Sequence, residues 1–148
     1  MTYYQPYGYF RSDANILSDL ATAINGEYTA IQCYEQLAAM APNATVRDQI
    51  LEIRKDEIKH YQTFTHLYHT LSGQQPQPTL NENCPKDYST GVEFSFKDEQ
   101  HTTDFYLEVY DRATDPIVKE AFRRAAADEQ QHAVWFLYFM QKEQQQLK

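Results

Sequence analysis

The stretch ADEQQHAVWF, residues 127–136, places Glu129 and His132 three positions apart, directly before an apolar run. Residues at this spacing lie on the same face of an α-helix. Apolar residues at helical spacing continue that face along the segment: Val118, Phe122, Ala125, Phe136 and Phe139. The carboxylate and the imidazole are therefore predicted to lie on the buried face of a helix, where polar groups need a partner.

The chain contains a second Glu-x-x-His pair, Glu57 with His60, and the two pairs are related by a shift of 72 positions (129 minus 57). The same shift aligns further chemically similar residues: Glu27 with Glu99, Tyr34 with Tyr106, Asp56 with Asp128, and Asn43 with Asp115. A repeat of this kind predicts two related helical hairpins. Each hairpin contributes one glutamate from its first helix and a Glu-x-x-His pair from its second.

Helical periodicity runs through four segments, and alternating β-branched residues are few, so the sequence predicts an all-α protein. Asn43 and Asp115 are predicted N-cap residues, and Gly73 is a predicted helix end. The third helix has two candidate starts, Thr90 and Ser95. We prefer Thr90 because it forms a capping-box pattern and places Glu99 at the height of the other glutamates.

The connection between the second and third helices has about 16 residues and can cross the length of a bundle, at about 3.3 Å per extended residue. The predicted fold is an antiparallel four-helix bundle of ferritin-like topology with one long crossover. Its predicted parts are a tyrosine-rich N-terminal tail (1–11) and a bundle (12–146), made of a first hairpin (12–73), the crossover (74–89) and a second hairpin (90–146).

Four ionised carboxylates cannot share a dry core without compensation, because each loses its hydration and all repel one another. Two divalent cations would neutralise them, and oxygen-rich sites with one imidazole per ion suit iron or manganese. The predicted metal ligands are Glu27, Glu57, His60, Glu99, Glu129 and His132. Glu57 and Glu129 are expected to bridge the ions. Tyr34 and Tyr106 are expected to donate hydrogen bonds that orient ligand carboxylates.

The formal net charge of −8 and the sequence pI near 5.0 argue against nucleic-acid and anionic-membrane partners. The longest apolar run has eight residues, too few for a membrane span, and no signal peptide is recognised. A cytoplasmic location is expected. Cys33 and Cys84 do not suggest a disulfide framework, and Cys33 is predicted to be a small buried residue. The aromatic run around Trp135 is predicted to form the face of a homodimer.

At these motifs the sequence resembles the rubrerythrin-like branch of the ferritin-like superfamily. The residues that carry the resemblance are Gly26 and Glu27 with Tyr34, Asp56 to His60, Ala121 to Arg123, and Asp128 to His132. It extends roughly from Ala14 to Met140. The resemblance implies a dinuclear iron site that reacts with hydrogen peroxide or dioxygen, in a peroxidase- or ferroxidase-type oxidoreductase.

Two departures from that family's pattern keep alternatives open. Rubrerythrins proper carry a rubredoxin domain with four cysteines, which this sequence is expected to lack, so catalysis would need a separate electron donor. The family's additional carboxylate on the third helix falls on Thr102, and a different alignment makes Asp98 and His101 alternative ligands. A non-catalytic metal-binding or storage protein and a di-manganese site are the competing hypotheses.

Overall fold

The structure, a computed structural model, describes the backbone of residues 7–147 and the side chains of residues 15–147. It contains four helices: α1 (Tyr7–Ala39), α2 (Ala44–Ser72), α3 (Tyr88–Arg112) and α4 (Pro116–Gln146). Among the described residues, none of the helices has the length and hydropathy that a membrane span requires. Residues 1–6 of the predicted N-terminal tail lie outside the described part of the chain.

Three predicted helix boundaries are confirmed by the capping geometry. The Asn43 side chain accepts a hydrogen bond from the Val46 amide at 3.0 Å and begins α2. Gly73 ends α2 in the left-handed conformation, with φ of 73°, which glycine adopts without strain. Asp115 caps α4, whose first residue is Pro116.

Two helices begin earlier than the sequence predicts. Helix α1 starts at Tyr7, five residues before the predicted start at residue 12, so residues 7–11 of the predicted tail are helical. Helix α3 starts at Tyr88, because the Asp87 carboxylate accepts the Thr90 amide at 2.8 Å and serves as the N-cap. The prediction of Thr90 as the cap was therefore wrong by three residues. The early start still leaves Glu99 in the middle of α3.

The helices form two antiparallel hairpins, α1 with α2 and α3 with α4, and α3 runs antiparallel to α1. The beginning of α3 meets the end of α1, since a Cβ at Gly91 would lie only 2.6 Å from a methyl group of Leu37. The end of α3 meets α1 near its start, where Arg112 binds Asp19 at 3.1 Å. These contacts confirm the antiparallel four-helix bundle of ferritin-like topology with one long crossover.

The crossover between α2 and α3 follows the surface of α1 in the direction of that helix. The Thr79 amide donates to the Asn25 side chain, and two residues later the Asn81 amide donates to Thr29 Oγ1, each at 2.9 Å. The hydrogen bonds fix the path of a segment that has no secondary structure of its own.

Cys33 and Cys84 form a disulfide that joins the crossover to α1, which the sequence had not suggested, and Cys33 is half-buried rather than buried as predicted. The cysteines are 51 residues apart in sequence, but the path of the crossover brings their Cα atoms to 5.1 Å. Disulfides are typical of oxidising surroundings. The cytoplasmic location expected from the sequence stays a prediction.

The core of the bundle consists of two apolar clusters on either side of a polar layer. One cluster contains Leu20, Ile24, Phe64, Phe122 and neighbouring residues, and the other contains Leu37, Ile50, Ile53, Phe136 and Phe139. The buried charged residues and histidines lie at the level between them. Burial of these two clusters thus stabilises the bundle on both sides of the polar layer.

We predict that removing the disulfide with the double variant Cys33→Ser and Cys84→Ser lowers the free energy of unfolding by about 2–4 kcal/mol, because the link closes a long loop of the unfolded chain. Chemical denaturation followed by circular dichroism measures the change. Reduction of the wild-type protein should give the same decrease and should leave the double variant unaffected. Equal unfolding midpoints for the oxidised and reduced wild type would contradict the prediction.

Candidate metal centre

The polar layer contains six buried side chains that come from all four helices. They are Glu27 of α1, Glu57 and His60 of α2, Glu99 of α3, and Glu129 and His132 of α4. The structure thus brings together all six residues predicted as metal ligands. They share a level because each lies near the middle of its helix and neighbouring helices are antiparallel.

The donor atoms of these residues form two groups, and within each group the atoms lie within 4.8 Å of one another. One group contains Glu27, Glu57, His60 and Glu129, and the other contains Glu57, Glu99, Glu129 and His132. Glu57 and Glu129 belong to both groups, whereas Glu27 and Glu99 belong to one each. Two cations bound in these groups would therefore share the two central carboxylates.

Each of the six residues directs into the layer one buried atom that makes no hydrogen bond of regular geometry, although imidazole and carboxylate atoms lie as close as 2.9 Å. These atoms are Glu27 Oε2, Glu57 Oε1, His60 Nδ1, Glu99 Oε2, Glu129 Oε1 and His132 Nδ1. Buried polar atoms are nearly always paired in native proteins, because an unsatisfied group loses its hydration without compensation. Carboxylate oxygens and imidazole nitrogens are also the donors that iron and manganese prefer. The layer therefore fits a pair of such ions.

The imidazoles are close to the carboxylates. His60 Nδ1 lies 2.9 Å from Glu129 Oε1 and 3.4 Å from Glu27 Oε1. His132 Nδ1 lies 3.1 Å from Glu57 Oε1 and 3.6 Å from Glu99 Oε2. Each histidine Nδ1 therefore faces carboxylates from two helices other than its own. Donors to one shared ion would be arranged in this way.

Two aspartates hold the histidine rings from the opposite side. His60 Nε2 lies 2.9 Å from Asp128 Oδ2, and His132 Nε2 lies 3.0 Å from Asp56 Oδ2. In the neutral tautomer that carries its proton on Nε2, the ring donates to the aspartate and its Nδ1 lone pair faces the layer. The sequence prediction assigned these aspartates no role, although the 72-residue repeat aligned them with each other.

Two tyrosines contact Glu27 and Glu99 across the bundle. The Tyr34 hydroxyl of α1 donates to Glu99 Oε1 of α3, and the Tyr106 hydroxyl of α3 donates to Glu27 Oε1 of α1. Each of these glutamates thus has one oxygen bound to a tyrosine and the other without a partner. The sequence predicted such hydrogen bonds but did not predict that each tyrosine would reach the glutamate of the other helix.

The mutual repulsion of the carboxylates changes their proton affinity. Burial and the neighbouring carboxylates raise the pKa of Glu57 and of Glu129 well above the usual range. Burial lowers the pKa of His60, but its contacts with Asp128, Glu129 and Glu27 raise that pKa more, so the net shift is upward. Glu57, Glu129 and His60 therefore bind protons more tightly in the metal-free protein than they would in water.

The alternative third-helix ligands, Asp98 and His101, belong to neither donor group. Both line a cavity between α1 and α3 on the outer side of Tyr34 and Tyr106. Glu99 is the residue of α3 that points into the layer, as the sequence repeat indicates.

The rubrerythrin family model matches residues 91–148. This range includes Glu99, Glu129 and His132, the residues that α3 and α4 contribute to the polar layer. The uncharacterized protein YhjR of Bacillus subtilis (strain 168) is 46% identical over 138 residues, which cover 93% of this chain and 95% of YhjR. The chain belongs to the rubrerythrin family. This rubrerythrin-family protein has the four-helix fold that the sequence predicted.

Solved structures show that this rubrerythrin-family chain shares its fold with other ferritin-like proteins. A hypothetical protein of Pyrococcus furiosus is similar with a TM-score of 0.73 and 20% identity, over 85% of this chain and 88% of the other. The bacterioferritin of Desulfovibrio desulfuricans, which has a diiron site, is similar with a TM-score of 0.78 and 18% identity, over 88% of this chain and 81% of the other. At these identities the likeness shows the fold alone.

We predict that Asp56→Asn combined with Asp128→Asn weakens binding of ferrous iron or cobalt about 10- to 100-fold, because the histidine rings lose the partners that orient them. Competition titration with a chelator measures the affinity. Asp111→Asn, which changes an exposed aspartate of α3, is the matched control and should bind like the wild type. Unchanged affinity in the double variant would show that the two aspartates do not position the histidines.

Proposed function

We propose that this protein binds two iron ions through Glu27, Glu57, His60, Glu99, Glu129 and His132 and reduces hydrogen peroxide or dioxygen with them, as an oxidoreductase that acts against oxidative stress. The single observation that supports the proposal best is the set of six buried donor atoms without hydrogen-bond partners in one layer. The family, and the diiron site of the structurally similar bacterioferritin, support it further.

Charge balance supports two divalent ions rather than one. Four carboxylates carry four negative charges when ionised, and two divalent cations neutralise them without a net charge in the apolar interior. The two donor groups share Glu57 and Glu129, which supports bridging roles for these two residues and terminal roles for Glu27 and Glu99. Oxygen-rich donors with one imidazole per ion suit iron or manganese, and the family favours iron.

When bound, two ferrous ions supply one electron each, which with two protons reduce one hydrogen peroxide to two waters or one dioxygen to hydrogen peroxide. The protein holds the ligands in place. Burial raises the pKa of Tyr34 and of Tyr106 well above the usual range, and nearby carboxylates raise it further. Both hydroxyls therefore keep their protons and remain donors to Glu99 and Glu27.

Turnover requires that electrons return to the ions after each oxidation, and we propose a separate electron donor for this step.

We also propose a homodimer. Apolar residues of α4 near Trp135 support an interface there, since Val134, Leu137 and Tyr138 are 58%, 49% and 46% exposed.

We predict that Glu57→Ala combined with Glu129→Ala abolishes tight metal uptake, because both donor groups lose the carboxylates that they share. Helix content should remain largely intact, since the apolar clusters on both sides of the layer are unchanged. Metal analysis after ferrous loading and circular dichroism measure the two effects. Glu52→Ala, which removes an exposed glutamate of α2, is the control. Wild-type metal stoichiometry in the double variant would refute the ligand assignment.

We predict that the anaerobically prepared ferrous protein is oxidised rapidly and stoichiometrically by a pulse of hydrogen peroxide and is oxidised again after each addition of reductant. Stopped-flow absorbance measures the rate and the number of cycles. A single slow oxidation without cycling would instead support a metal-storage or structural protein. Anomalous scattering at the iron and manganese edges, from protein purified from its native host, would identify and count the ions.

A further inference from the structure

A cavity of about 210 Å³ lies between α1, α3 and the crossover, beside the polar layer. Small and apolar residues form much of its wall, including Ala23, Gly26 and Ala30 of α1 and Phe94 and Phe105 of α3. The crossover forms the outer wall, and Cys33, half of the disulfide, lines the cavity too. The cavity is therefore partly open to solvent, and the disulfide fixes the crossover at its outer side.

The inner end of the cavity reaches the residues that touch the layer. Tyr34 and Tyr106 line the cavity, and their hydroxyls donate to Glu99 and Glu27. A small molecule in the cavity would therefore contact side chains that are themselves hydrogen-bonded to two glutamates of the layer.

Gly26 is a glycine for which neither packing nor backbone conformation gives a reason. Gly73 has a left-handed backbone, and Gly91 lets α3 approach Leu37, but a Cβ at Gly26 would meet no atom within 4 Å. A glycine in the interior of a helix destabilises it by about 0.5–1 kcal/mol relative to alanine. What Gly26 provides in the structure is open space, because it lines the cavity.

The missing side chain at Gly26 is found on the α1 wall of the cavity and not at the equivalent position of α3. The shift of 72 residues aligns Gly26 with Asp98, and both line the cavity. Asp98 and Glu82 place carboxylates on its wall, and the layer beyond contains four more. These carboxylates would repel an anion, whereas a small uncharged molecule would not be repelled.

A second, smaller cavity of about 140 Å³ lies on the opposite side of the layer, between α2 and α4. The hydrogen bond between His60 and Asp128 separates it from the carboxylates, and its wall includes Lys59 and Arg124. It offers less room, about 140 Å³ against about 210 Å³ for the first cavity. This cavity is therefore the poorer route to the layer.

We propose that the cavity between α1 and α3, kept open by Gly26, is the entry and binding site for a small uncharged O–O oxidant, hydrogen peroxide or dioxygen. The inference rests on the proposed function, because it names the route by which the oxidant of that reaction reaches the layer. Gly26 is a specificity residue for size, and it does not touch the donor atoms.

The test compares Gly26→Leu with the wild type in three stopped-flow measurements: anaerobic ferrous loading, nitric oxide binding to the ferrous protein as an uncharged probe without turnover, and oxidation by peroxide or by dioxygen. Loading should be unchanged in Gly26→Leu. Nitric oxide binding and both oxidations should slow by about tenfold or more, since a close-packed leucine leaves no passage for a molecule of that size. Separate peroxide and dioxygen arms show whether both oxidants use the cavity.

Three further variants keep the test decisive. Gly26→Ala adds only a Cβ that meets no atom, so it should slow access less than Gly26→Leu does while stabilising α1. Thr63→Leu adds the same side chain to the second cavity and should also retain wild-type rates. Thr102→Leu fills the first cavity from α3 and should slow oxidant access even if Gly26→Leu does not fold.

Wild-type access rates in both Gly26→Leu and Thr102→Leu would overturn the inference. Slower loading with normal oxidation of the loaded protein would overturn it too, because the cavity would then carry cations. Slowing by Thr63→Leu alone would assign access to the other side. A wild-type protein that takes up no metal would instead refute the proposed function, and the inference would fall with it, so the two failures are distinguishable.

Discussion

Burial of four glutamate carboxylates at one level is the constraint on which the rest of the structure depends. An isolated buried carboxylate is expensive, and four of them also repel one another. The structure accommodates them by placing an apolar cluster on each side, so that helix packing does not depend on the layer itself. The unpaired donor atoms that remain are then available to cations.

The layer is held by contacts that cross from one hairpin to the other. The crossed pairs are His60 with Asp128, His132 with Asp56, Tyr34 with Glu99, and Tyr106 with Glu27. In every pair the residue that orients comes from the hairpin that does not supply the oriented group. Neither hairpin alone therefore contains a positioned donor group, and formation of the site is coupled to docking of the two halves. Such coupling gives precise geometry to a cluster of carboxylates that would otherwise move apart because of their mutual repulsion.

The sequence predicted the site better than it predicted the surroundings of the site. The repeat and the helical spacing identified Glu99 and the other inward-facing residues, because helix geometry alone fixes which residues share a face. The pairing of Asp56 and Asp128 with the histidines was missed. Its signal was present in the repeat, but which residue an aspartate reaches depends on the distance between α2 and α4.

The disulfide was missed for a related reason. Its formation depends on the path of the crossover along α1, which no local pattern between Cys33 and Cys84 encodes. The start of α3 was misplaced because Asp87 and Thr90 are both acceptable caps in isolation. Helix α3 uses Asp87, whose carboxylate accepts the Thr90 amide. With Thr90 as the cap, that amide would lie outside the helix. Local sequence patterns thus predicted which face of its helix a residue lies on and at what level of the bundle. They failed where two segments distant in sequence meet.

The two halves of the repeat agree at every donor residue but not at the positions beside them. At Gly26 and Asp98 one half has no side chain and the other has a carboxylate, and the crossover covers this side alone. The opposite side has histidine–aspartate pairs that bring the imidazoles into position. A symmetric set of donors thus lies between two different surroundings. Because the repeat would by itself produce equivalent sides, the difference must come from the crossover and from the residues that face it. Those residues therefore decide what reaches the layer, and the donors decide what happens there.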